Sequence, residues 1–189
     1  LSTGHVKALE ASQIPGLTTS NIVGLSIANL NALSTTNLRA LSTTQIAAFT
    51  TAQVSGISAT ILNALSASQI GAIETADLAA ISASKIALLS SSTISALETN
   101  QLRALTTSQF VNLSAQGLSG LTSSDVAALT SAQKSSLSAG MIINMTSSQL
   151  AGLTTADLNS LATEAFQSVT GITPLILDID GNGVQTVSM

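Results

Sequence analysis

Leu41-Ser42-Thr43-Thr44-Gln45-Ile46-Ala47-Ala48 is one copy of an eight-residue unit that runs, with substitutions but no gap, from Leu1 to Ser168. We number the octads from 1 (residues 1–8) to 21 (residues 161–168), and the positions in each from 1 to 8. A large apolar residue fills position 1 in all 21 octads and position 6 in 20 of 21, the exception being Lys134. A continuous α-helix does not explain this spacing. At about 100° per residue an eight-residue period drifts by roughly 80° per repeat, so no apolar stripe forms. A strand fails as well, because strict alternation puts positions 1 and 6 on opposite faces.

A short capped helix does explain it. Ser42 is the N-cap, Thr43 and Thr44 open the helix, and Gln45 comes three residues after the cap. That is the capping box, with Leu41 and Ile46 as its hydrophobic staple. Position 2 is Ser or Thr in 17 of 21 octads, the others being Glu10, Glu74, Glu98 and Ala162. Position 5 is Gln eight times, Asn three times (Asn21, Asn29, Asn37) and Asp three times (Asp77, Asp125, Asp157). Position 8 is Ala or Gly in 15 of 21, small enough for one helix to end against its neighbour.

Helices under two turns do not survive alone, so they must stack. Every third octad shares finer features. One class has Leu at position 1 throughout, from Leu17 and Leu41 to Leu161, and another has only Ala or Gly at position 8, from Ala8 to Gly152. The expected fold is therefore all-α, a solenoid of very short capped helices with three helices per 24-residue coil over residues 1–170. Positions 1 and 6 point inward, each side chain contributing about 1.5–3 kcal/mol against the ordering cost of the chain. Layers about 8–10 Å apart give a rod on the order of 60–70 Å.

Individual residues test the scheme. Pro15 falls late in its helix and should distort the first coil. Lys134, at an inward position, is expected to snorkel its ammonium to water, with a buried charge pair as the lesser alternative. Ile61 and Met141 stand where the capping partner belongs and are expected to pack.

Composition limits function. The chain has 7% charged and 2% aromatic residues, no Cys, one His and a net charge of −4. No basic patch exists to neutralise phosphates, so nucleic acid is not an expected partner. No apolar run approaches a membrane span, and no signal peptide is visible. The in-phase start at Leu1 reads as an excerpt of something longer. His5 reads as a polar substitute for Gln, not as a catalyst. Glu74, Asp77 and Glu98 read as solvated first-turn acids in preference to a cation site. No nucleophile–base pair or phosphate loop is apparent, and an enzyme is not expected.

Beyond the repeat, Gly171-Ile172-Thr173-Pro174 stops the pattern, and residues 171–189 read as a short strand followed by a glycine-rich turn. Asp178, Asp180 and Asn182, with Gly183, match the first half of an EF-hand-like calcium loop, in which the carbonyl of Val184 supplies the next ligand. Met189 stands where a bidentate Glu is expected. The run Pro174-Leu175-Ile176-Leu177-Asp178-Ile179-Asp180-Gly181-Asn182-Gly183-Val184 resembles the PLxLDLDGDGxET segment of large RTX-type bacterial proteins exported by type I secretion. That resemblance covers about 13 of 189 residues, with Asn182 and Gln185 as departures. It implies export, an extracellular setting and calcium at Asp178, Asp180 and Asn182. The expected function is a structural spacer in a secreted or surface-displayed protein, its partners being neighbouring modules of the same longer chain. The alternatives are an adhesin using rows of Ser and Thr, and a filament subunit associating end to end.

Overall fold

A computed structural model describes residues 2–161. Among them every octad but one forms a short α-helix, from Thr3–Lys7 in octad 1 to Ser147–Leu150 in octad 19, and residues 155–161 are helical in octad 20 and at the start of octad 21. Octad 2 is the exception. Pro15 sits in a 3₁₀ turn, Ile14–Gly16, where an α-helix would need the N–H that proline lacks.

Each helix starts and stops for local reasons. In octad 6, Ser42 is extended (φ −72°, ψ 159°) and caps the helix Thr43–Ala47. Gln45 N–H donates to Ser42 Oγ at 3.2 Å, and Ser42 N–H donates to Gln45 Oε1 at 2.8 Å. The helix ends because position 1 of the next octad is extended again to prepare the next cap, as at Ile57 and Leu65. Glycine is not needed for this stop, since Ala40, Ala48 and Ala72 close their helices in ordinary right-handed backbone.

The helices stack in three columns at three-octad spacing. Thr51–Gly56 packs on Thr75–Ala79, then come Thr99–Ala104, Ser123–Ala128 and Ser147–Leu150. A second column holds Ala83–Ile86, Thr107–Val111 and Ser131–Ser135, and the third runs from Thr19–Val23 through Thr43–Ala47 and Ala67–Gly71 to Ser91–Ser95 and Ala115–Leu118. The coil is therefore 24 residues long, and the fold is the all-α solenoid that the octads predict.

Positions 1 and 6 form one continuous core, in which the position 6 side chains from Val6 to Val126 are at most 3% exposed. Ile61 and Met141 are buried and pack, as expected. Position 8 is small because it lies against position 3 of the preceding coil. A Cβ on Gly120 would stand 2.3 Å from the Ser91 carbonyl oxygen, and one on Gly152 would stand 2.3 Å from that of Ser123. No helix among the described residues is long and apolar enough to cross a membrane.

Candidate functional site: the amide seam between coils

A short helix has almost as many unpaired backbone groups as paired ones. The octad satisfies them with position 5, and it does so in two directions. Gln45 accepts at Oε1 from the N–H of its own cap, while its Nε2 donates to the carbonyls of Ile14 at 2.9 Å and Leu17 at 2.7 Å in the preceding coil. The same pair of contacts, 31 and 28 residues upstream, recurs at Gln53, Gln69, Gln101, Gln109, Gln133 and Gln149. The carbonyls belong to position 6 of the fourth octad back and position 1 of the third octad back. One side chain thus caps its own helix and the trailing end of another. The amides are buried, Gln101 and Gln133 to 1% exposure, which is tolerable because each polar group is paired. Among the described residues no buried side-chain nitrogen or oxygen lacks a partner.

Octads without Gln keep the seam by other chemistry. Asn37 donates Nδ2 to the Leu9 carbonyl at 2.8 Å. Lys85 donates its ammonium to the Ser55 carbonyl. Asp77 reverses the polarity, accepting from the Thr51 hydroxyl at 2.6 Å. In octads 8 and 12, where position 5 is Ile61 and Thr93, the cap loses its acceptor in cis. An asparagine four octads upstream supplies it: Asn31 Oδ1 accepts from Ser58 N–H, and Asn63 Oδ1 accepts from Ser90 N–H, both at 2.9 Å. Asn63 Oδ1 also accepts from Thr93 Oγ1 at 2.8 Å, and its Nδ2 donates to the Leu88 carbonyl at 3.0 Å.

This substitution has a direct test. Asn63→Ala should cost about 2–3 kcal/mol in urea unfolding, three hydrogen bonds at about 1 kcal/mol each. Adding Thr93→Gln should recover most of the loss, because Gln at 93 has the Leu62 and Leu65 carbonyls 31 and 28 residues upstream. If the double variant is no more stable than Asn63→Ala alone, acceptor exchange is not what the pair does.

Lys134 is a correction to the sequence reading. It does not simply extend to water: its Nζ lies 3.1 Å from Asp157 Oδ2, with side chains 15% and 21% exposed. A half-buried ammonium in an apolar row is better served by a carboxylate than by partial solvation. The Asp157 carboxyl is held below the usual carboxylate range, first by the backbone N–H and hydroxyl of its cap Thr154 and then by Lys134.

His5 does take the Gln role, its Nδ1 accepting from Ser2 N–H at 3.3 Å. Glu74 makes no side-chain cap bond, and Asp77 is buried against Thr51, so Asp77 is not the solvated acid expected from the sequence. Among the described residues no three His, Cys, Asp or Glu side chains come together as a metal site. The calcium-loop residues Asp178, Asp180, Asn182 and Val184, and the expected strand near residue 175, lie outside the described residues.

The hydroxyls also divide differently from the sequence expectation that they are all consumed by capping. Position 2 hydroxyls cap. Those at position 4 do not, and Ser12, Thr36, Thr60, Ser84 and Ser108 stand exposed in successive coils of one column.

A solenoid of capped octad helices, joined coil to coil by side-chain amides, is an α-helical repeat protein. The chain belongs to the ALTTAQ repeat family, whose profile matches residues 27–59, 70–107 and 94–131, together half of the chain. Ala48-Phe49-Thr50-Thr51-Ala52-Gln53 reproduces those six letters except at Phe49, and its final Gln is a seam residue. No curated protein and no solved structure matches the chain.

Proposed function

We propose that this repeat module is a spacer, a rod that sets the distance between neighbouring modules of a secreted or surface-displayed bacterial protein of the RTX type. The observation that carries the reading is the seam. Its bonds join residues 28 and 31 apart, so each coil is fastened to the next and length is set by octad number, as in other one-dimensional repeats. The low charge and the scarcity of aromatic residues support a scaffold over a binding hub, whose energy comes from Trp, Tyr and Arg. The activity is mechanical, with no catalytic step. The resemblance at residues 174–184 supports export and a calcium ion held by Asp178, Asp180, Asn182 and the Val184 carbonyl at the junction with the next module.

The exposed hydroxyl column from Ser12 to Ser108 favours a second reading, an adhesin that offers regularly spaced hydroxyls to a glycan or similar polar surface.

Small-angle scattering across a concentration series tests the spacer. A monomer whose repeat forms a rod on the order of 60–70 Å at every concentration is expected; a particle that lengthens with concentration replaces the spacer with a fibre. In the same samples calcium should raise the melting temperature of the wild-type chain and leave Asp178→Ala unchanged. Equal melting of both with and without calcium removes the ion from the proposal.

A further inference from the structure

The rod is sealed along its length but not at the coil formed by octads 18–20. Position 6 is at most 3% exposed from Val6 to Val126. In the last described coil Ile142 and Leu150 are only partly buried and Leu158 is 43% exposed. Further back along the rod such residues are covered by the next coil, and the octad pattern ends at Ser168. The sequence after Ser168 has a different character. Residues 172–179 hold Ile172, Leu175, Ile176, Leu177 and Ile179, five large aliphatic side chains in eight residues, against two large apolar positions per octad in the repeat.

We propose that residues 172–179 cover the face of octads 18–20, seating Ile176 and its aliphatic neighbours over Leu158 and ending the solenoid. Three arguments favour this occupant. A lone apolar stretch of this length cannot bury its own side chains, and an isolated hairpin is marginal in water. Solenoids require an end piece that hides the terminal apolar face. Reach is no obstacle, because the eleven residues from Leu161 to Ile172 span up to about 36 Å when extended, several times the thickness of a helix layer. The rival occupant is the same face of a second copy of this chain.

The absence of Cys gives a clean test in the full chain. Leu158→Cys combined with Ile176→Cys should form an intramolecular disulfide on mild oxidation, since the bond needs Cβ atoms about 4 Å apart. The pair Leu88→Cys and Ile176→Cys is the control, because Leu88 is also exposed, at 67%, but lies on the flank of the rod. The expected result is an intramolecular disulfide in the first pair and none in the second. No intramolecular disulfide in the first pair, or equal amounts in both, overturns the proposal. Disulfide-linked dimers of the first pair also overturn it and assign the face to a second copy.

Discussion

Gln109→Leu should destabilise the chain by about 3–5 kcal/mol in urea unfolding, although leucine is a close match in size and more apolar. Gln109 is 2% exposed. Its replacement removes the acceptor for Thr106 N–H at 2.8 Å and the donor to the Leu78 and Ile81 carbonyls at 2.8 and 2.6 Å. Three backbone groups are then left unpaired near the core, each at a cost of about 1–3 kcal/mol. Gln13→Leu is the internal comparison. Gln13 is exposed and accepts from Glu10 N–H at 2.8 Å, so only a cap is lost there, about 1 kcal/mol. Gln109→Glu separates the two directions of the seam. Glutamate can still cap Thr106, but its carboxylate faces two carbonyl oxygens, and it should be less stable than the leucine variant. Equal losses at 109 and 13 would show that the glutamine acts as a cap alone.

Gly120→Val should be nearly as damaging, at about 2–4 kcal/mol by the same measurement, and for a steric reason. The first carbon of any side chain at 120 stands 2.3 Å from Ser91 O and 3.0 Å from Ser91 C, both main-chain atoms of the preceding coil. A flexible side chain could move aside, but a backbone held by its own helix must drag the coil with it, and cores resist such overpacking. Gly16→Ala is the counterpart, because nothing lies within 4 Å of a Cβ there, and it should change stability by less than about 1 kcal/mol. A Gly120→Ala variant as stable as Gly16→Ala would mean that the two coils are not in this contact.

Sequence reasoning recovers everything that the octad encodes locally. The cap, the staple, the small position 8 and the break at Pro15 depend on residues within one helix turn of each other. The 24-residue coil is legible because three octad classes differ slightly in what they tolerate. The second half of the glutamine's role is not local, since its partners lie 28 and 31 residues away and only the offset between coils brings them near. One signal was available: a capping box accepts Glu as readily as Gln, yet Glu never occurs at position 5 in 21 octads. A site that refuses glutamate needs the amide's N–H. The same distance hides the partnership of Asn63 with Ser90 and of Lys134 with Asp157, because no periodicity links position 7 to a cap, or position 6 to an acid, in another coil.

The seam also fixes how such a chain can change length over generations. Each amide counts back to the boundary between the third and fourth octads upstream and is indifferent to which of the three columns it occupies. Gain or loss of a single octad therefore turns every later octad by a third of a coil while leaving the same kind of partner under each glutamine. The pairs Asn31–Ser58 and Asn63–Ser90 do not share this freedom. They are specific spacings, and an octad inserted or deleted inside either one strands both members. The repeat thus carries regions open to lengthening and two segments whose copy number is locked by a private contact.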